Sequence, residues 1–357
     1  MSSDRINLLY EQAVALLKQL IATPSFSKEE EHTAQILEQF FAQQGAKANR
    51  FLHNVWAVNK HFDAAKPTLL LNSHHDTVKP NKGYTLDPFT PIEKDGKLFG
   101  LGSNDAGGPL VSLISTFLYY YDRADLKFNL LLAATAEEEI SGRNGIEALL
   151  PELGTIDCGI VGEPTQMHMA VAERGLMVLD ATSHGKAGHA AREEGENAIY
   201  KALTDIEWFR THKFPKISDL LGPVKTSVTV IETDNKAHNV VPAQCKFVVD
   251  VRVNELYTFE EVLEVIRANV QCEVQPRSTR LRSTSIALDH PLTKAGINLK
   301  RNYYGSPTTS DKALMPFQTL KMGPGDSARS HTADEFIYID EIKEGIELYI
   351  QLLNQVL

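Results

Sequence analysis

Three consecutive glutamates, Glu137, Glu138 and Glu139, follow the apolar run Leu130-Leu131-Leu132-Ala133-Ala134 and precede Gly142. An apolar run of that length reads as a strand buried on both faces, which puts the carboxylates at its mouth. Three anions there repel one another and lose solvation unless something cationic sits among them. A run of like charges is more often a solvated helix face, so the other stretches of the chain decide its meaning.

A second buried run ends in Leu71-Asn72-Ser73-His74-His75-Asp76. Strand alternation puts His74 and Asp76 on one face and His75 on the other. A carboxylate beside a ligating imidazole can hold its tautomer and raise its basicity. Asp105 lies in the glycine-rich Gly100-Leu101-Gly102-Ser103-Asn104-Asp105-Ala106-Gly107-Gly108, which has neither the lysine nor the spacing of a phosphate-binding loop. Glu163 follows the short buried run Cys158–Val161, and His331 stands in Ser330-His331-Thr332-Ala333-Asp334-Glu335, after Gly323-Pro324-Gly325-Asp326. Singly, each is an ordinary loop residue. Jointly, they gather at the mouths of one kind of sheet, where α/β proteins place their sites.

The elements that would carry these residues alternate. Leu9, Ala13, Leu16, Leu17 and Leu20 mark a helix ending before Pro24, and Ser27-Lys28-Glu29-Glu30 reads as a capping box opening a second helix that Gly45 closes. Strands around Val55–Val58 and Thr68–Leu71, a helix containing Leu110 to Tyr119, and the two buried runs complete an α/β layer with a largely parallel sheet. After about residue 174 the pattern changes. A strand at Leu176–Ser183, a helix from Gly195 through Trp208, strands at Ser227–Glu232 and Cys245–Val253, a helix capped by Thr258-x-x-Glu261, and a strand at Thr279–Leu288 give the order β-α-β-β-α-β of a ferredoxin-like unit. The α/β pattern then resumes from about Pro291 and closes with a helix carrying Ile342, Ile346, Tyr349, Ile350 and Leu353.

The order His74-x-Asp76, Asp105, Glu138-Glu139, Glu163, His331 resembles the M20 metallopeptidase family of co-catalytic zinc hydrolases, within it most the acetylornithine deacetylase and succinyl-diaminopimelate desuccinylase branch. The likeness covers nearly the whole chain. It implies a zinc-peptidase-like catalytic domain (residues 1–174 and 287–357) and an inserted ferredoxin-like lid and dimerisation domain (175–286). It also implies two metals bridged by Asp105, one completed by His74 and Glu163 and the other by Glu139 and His331. Asp76 would orient His74, and Glu138 would be the general base. The residue types agree: two imidazoles and three carboxylates suit Zn²⁺, with Co²⁺ or Mn²⁺ able to substitute. Two cations would also let Glu138 and Glu139 crowd together.

In the inserted unit, Gly185-Lys186-Ala187-Gly188-His189-Ala190-Ala191, followed by Gly195-Glu196-Asn197-Ala198, resembles the family's lid histidine motif. That resemblance implies that His189 reaches the partner subunit's active site and stabilises the oxyanion. His238-Asn239-Val240-Val241-Pro242 and Asp250-Val251-Arg252 resemble the substrate-holding segments, which makes Asn239 and Arg252 substrate contacts. Arg252 suits a bidentate grip on an α-carboxylate and equally a plain ion pair with Asp250. Arg174 is a weaker candidate of the same sort. The chain departs from the family in having Ala106-Gly107 where Met-Lys is usual and Ser73 where Gly is common.

Thirty-six Lys and Arg against 46 Asp and Glu give a net charge of −10, which argues against nucleic acid or an anionic membrane as partner. The three cysteines are dispersed in apolar runs and read as reduced thiols of a cytoplasmic protein. The expectation is a dimeric di-zinc amidohydrolase acting on a small N-acyl amino acid, N-acetylornithine or N-acetylcitrulline on the route to arginine first. N-succinyl substrates come next and a dipeptide third. An inactive relative that only binds ligand should have lost a ligand or the base, and none is missing.

Overall fold

The computed structural model describes residues 3–357, which divide into two compact units. One comprises the chain up to Val171 with Ile286–Tyr304 and Ser310–Leu357; the other comprises Ala172–Ser285 with Gly305–Thr309.

In the first unit the strands Asn129–Thr135, Thr68–His74, Cys158–Val161 and Gln318–Lys321 run parallel, side by side in that order. Antiparallel strands flank them: Asn54–Val58 and Ala48–Phe51 on one side, Met169–Glu173 on the other. Leu70, Leu131 and Ala133 face a layer built from Ile146, Leu149 and Leu153 of the helix Ile146–Leu153 together with Met315. The alternate residues face the opposite layer, where the helix Gly108–Tyr120 packs on both strands beside Ser3–Ile21 and Ile339–Leu353. Because both faces are covered, Thr68–His74 and Asn129–Thr135 are buried throughout. Each leucine so placed contributes about 1.5–3 kcal/mol.

Parallel pairing decides where the chemistry falls. His74 lies opposite Thr135 and Asn72 opposite Val161, so three strands end at one edge and release His74, Glu138, Glu139 and Glu163 there. The helix Gly108–Tyr120 returns along these strands, which brings its N-terminus and the preceding Asp105 to the same edge.

The second helix does not open on a capping box. It spans Glu31–Gln43, and its first turn has no side-chain cap. The Ser27 hydroxyl is directed instead to the buried Asp76, donating to its Oδ2 at 2.7 Å. Gly45 does end the helix, in the left-handed conformation (φ 68°).

The second unit is the ferredoxin-like arrangement. Gly175–His184, Ala198–Thr211, Lys225–Thr233, Gln244–Val253, Phe259–Asn269 and Glu273–Pro276 follow in the order β-α-β-β-α-β, and the antiparallel sheet runs second, third, first, fourth strand. Met177, Leu179, Phe247, Val249 and Val251 bury one sheet face against Phe209 and Ile266 of the two helices. Thr258 and Glu261 form the expected capping box. Two expectations need correction. The first helix begins at Ala198, capped by Asn197, because Glu196 pairs with Lys186 across a loop bridge. The last strand is Glu273–Pro276 rather than Thr279–Leu288, of which only Thr284–Ser285 pairs, with Ala172 and Glu173.

Candidate metal centre

The ligand-bearing segments are short and irregular for physical reasons. Glu137, in left-handed conformation (φ 54°), breaks the strand, and a single 3-10 turn, Glu138–Ile140, presents the next two carboxylates. Glu137 itself turns away from the site. Its Oε1 accepts the Asn144 side-chain amide at 2.8 Å, and it lies so close to Gly142 that a Cβ there would meet Glu137 Oε2 at 2.0 Å. Asp105 sits in a tight turn after Gly102 (φ 75°), with a cis peptide to Ala106.

His74 Nδ1 donates to the Asp76 carbonyl oxygen at 3.0 Å, which fixes the tautomer and leaves Nε2 facing the carboxylates. From Nε2, Asp105 Oδ1 is 3.4 Å away, Glu138 Oε2 3.9 Å and Glu163 Oε1 4.0 Å. His331 Nε2 lies 3.0 Å from Glu139 Oε2 and 3.6 Å from Asp105 Oδ2. Asp105 therefore turns one oxygen to each histidine. One ligand atom each from His74, Glu138 and Glu163, and again from His74, Asp105 and Glu139, lie within 4.8 Å of one another.

The donor set fits a pair of divalent cations. Among the described residues, Asp105, Glu138 and Glu139 form their ion pairs with imidazoles rather than with lysine or arginine. Burial first, then the charges of Glu163, Asp311 and Glu139, hold the Glu138 carboxyl well above the usual carboxylate range, against the opposing pull of His74. His74 is raised in turn: its burial works against protonation, but Glu138, Asp105 and Asp76 outweigh it. Cations would relieve this strain among like charges, which the protein's own cations do only in part.

Asp76 does more than orient His74. Its carboxylate is 3.4 Å from His74 Nδ1 and also accepts the Glu138 amide at 3.1 Å, the Glu139 amide at 3.2 Å and the Ser27 hydroxyl. One carboxylate thus sets the positions of a histidine and both glutamates. His75 points the other way, as alternation requires, between Thr33 Oγ1 and the His53 carbonyl, and burial drives its pKa down to about 4. Sequence reading passed over Asp311, a buried carboxylate behind the strand ends. It accepts from Asn72 Nδ2 at 3.0 Å and Thr135 Oγ1 at 2.7 Å, and burial pushes its pKa up to about 6. Its only sequence signal is an acid within a polar turn, which is no signal at all.

The two departures at 73 and 106–107 have steric content. Ser73 Oγ donates to the Gly162 carbonyl at 2.8 Å. A Cβ on Gly107 would stand 2.4 Å from the Gly102 carbonyl oxygen and 2.5 Å from Leu17, so this loop holds no side chain at that position.

His189, Asn239 and Arg252 all lie in the second unit. His189 pairs with Val240, and the Asn239 carbonyl accepts the Ala190 amide, so these two share one small ribbon. Arg252 is elsewhere. It stands at the far end of Gln244–Val253, roughly 26 Å along the strand from Gln244 at the usual rise per residue. Its guanidinium grips Asp250 through Nε at 2.8 Å and Nη2 at 3.0 Å. Arg174 is buried and donates to the Pro223 and Leu221 carbonyls, a purely internal use of its charge. The three cysteines are free and buried, and burial pushes Cys158 and Cys272 up to about 12. Among the described residues, no helix is long and apolar enough to cross a membrane.

A family model described as peptidase family M20/M25/M40 matches residues 70–355. Acetylornithine deacetylase of Proteus mirabilis is 26% identical over 98% of this chain and 98% of its own. Succinyl-diaminopimelate desuccinylase 2 of a Ruegeria species is 26% identical over 70% of this chain and 67% of its own. Among solved structures, aminopeptidase PepT from Bacillus cereus shares the fold with a TM-score of 0.79 at 20% identity, covering 97% of this chain and 98% of that one. A dinuclear metal-binding peptidase of the M20 family from Bacillus subtilis does so with a TM-score of 0.76 at 16% identity, covering 98% and 99%.

Proposed function

This chain belongs to peptidase family M20/M25/M40 and is a hydrolase of that family, and we propose that it cleaves the amide bond of a small N-acyl amino acid. N-acetylornithine or N-acetylcitrulline, on the route to arginine in the cytoplasm, is the first choice. The observation that carries the reading is the split of Asp105 between two histidines with a glutamate, Glu138, beside them. Asp105 with His74 and Glu163 would hold one cation, and Asp105 with Glu139 and His331 the other; Zn²⁺ suits both, and Co²⁺ or Mn²⁺ can replace it. Bound there, the pair would supply Lewis acidity toward the scissile carbonyl and acidify water. Glu138 would take the proton of the attacking water and deliver it to the departing amine nitrogen. Asp76 would hold Glu138 and Glu139 by their amides while this happens.

A deacetylase and a desuccinylase each match over nearly the full length of both chains at 26% identity, which supports N-acetyl and N-succinyl amino acids alike and keeps N-succinyl substrates as the second reading. Initial rates on N-acetyl, N-succinyl and dipeptide substrates of ornithine, citrulline and diaminopimelate, with Zn²⁺ or Co²⁺ added, separate them. The expected result is the highest kcat/KM on N-acetylornithine or N-acetylcitrulline, and a preference for N-succinyl or dipeptide substrates would replace that substrate assignment.

The working form would be a homodimer joined through the second unit. Its edge strand Lys225–Thr233 exposes Val230 and Ile231, and the adjacent helix exposes Tyr200 and Leu203. Antiparallel pairing of two such edges is self-complementary, as a two-fold interface requires. His189 Nδ1 accepts the Ala191 amide at 3.1 Å, so the proton resides on Nε2, on an exposed ring able to donate. The partner subunit's His189 would give that hydrogen bond to the oxygen that becomes negative in the tetrahedral intermediate, and Asn239 of the same ribbon would help hold the substrate. Arg252, paired with Asp250 at the far end of the strand from that ribbon, would take the carboxylate end from the subunit opposite the one that supplies His189 and Asn239. Removing one oxyanion donor typically costs about 10²–10³ in kcat. His189→Ala should lose that much with metals intact. Mixed with Glu138→Ala and allowed to exchange subunits, it should regain roughly a quarter of wild-type activity, because half the dimers then contain one good site of two. No recovery after proven exchange means that His189 does not act across the dimer.

A further inference from the structure

The carboxylate of Glu335 lies behind the loop that carries Asp105. It is 2% exposed and accepts three backbone amides: Asn104 N and Asp105 N on Oε1, both at 2.9 Å, and Gly102 N on Oε2 at 3.1 Å. Its own carbonyl accepts the Gly100 amide at 3.0 Å. The pairing of Phe336–Tyr338 with Lys97–Phe99 brings it to this place. The loop follows an irregular path. Gly100 and Gly102 take positive φ, and Asp105 has the non-helical φ −118° and ψ 99° at a position where the surrounding turn is helical. Asn104 is committed to Asp326 through Oδ1 and Nδ2, which clamps the loop at one further point.

We propose that Glu335 is the positioning residue of the bridging ligand: it gathers the Gly102–Asp105 amides so that the two oxygens of Asp105 stay divided between His74 and His331. This inference rests on the paired-metal reading above. It makes Glu335 different in kind from the ligands. Loss of Glu139 or His331 weakens one site, whereas loss of the support under Asp105 weakens both, because both sites share that carboxylate.

In Glu335→Gln the side-chain oxygen can still accept two amides, but its NH₂ then faces a third donor. The expected result is a 10–100-fold loss of affinity in both binding steps when the metal-free variant is titrated with Zn²⁺ or Co²⁺ alone. Excess metal should restore kcat, with KM for substrate unchanged. Glu335→Asp keeps the charge but retreats from the loop, and it should show the same joint loss; it carries the test if the glutamine variant does not fold. Unaltered affinities in a folded variant, or loss confined to one binding step, overturn the inference. So does a lowered melting temperature of the metal-free protein with unchanged affinities, which is the mark of a merely structural residue. Wild-type protein that binds no metal in the same titration would overturn the paired-metal reading instead.

Discussion

Glu138→Ala should fold, bind two metals per subunit and hydrolyse almost nothing. A general base contributes about 10²–10⁴ to the rate, and Glu138 stands 3.9 Å from His74 Nε2 at the centre of the carboxylate group. The geometry alone allows it to be counted as a ligand beside Glu163. The variant decides between these roles. Its backbone should keep its place, because the Glu138 and Glu139 amides remain tied to Asp76. Glu139→Ala should behave differently. Its carboxylate pairs with His331 at 3.0 Å, so one site should lose affinity while the other holds. Metal content of both purified variants checks this; equal loss in the two would mean that base and ligand are wrongly assigned.

Much of the centre was legible in the sequence because a parallel sheet converts strand ends into a common edge. His74, Glu138, Glu139 and Glu163 each stand within five residues of a buried apolar run, and registers such as His74 opposite Thr135 do the rest. The second unit was legible from its alternating strand, Cys245 to Val253, and from the Thr258 capping box. What stayed hidden depends on contacts distant in sequence. Ser27 fits a capping pattern locally, yet its hydroxyl goes to Asp76, 49 residues away. Glu335 reaches the Asp105 loop only because two short strands pair across more than 230 residues. The distance between Arg252 and the His189 ribbon likewise needs the strand register, which no local pattern carries.

Removing metal should have the largest effect of all. On the proposed reading the site residues hold and orient; apart from Glu138 and His189, the chemistry would come from the cations they would hold. Chelation should therefore abolish hydrolysis while leaving most of the fold, since the sheet core of Leu69–Leu71 and Leu130–Ala133 does not depend on the site. The decisive measurement is a titration of metal-free protein with Zn²⁺ or Co²⁺ that follows bound metal and hydrolysis of the best N-acyl amino acid together. The expected result is no activity at the start and full activity at two ions per subunit. Full hydrolysis in protein shown to be free of metal would contradict the paired-metal centre outright.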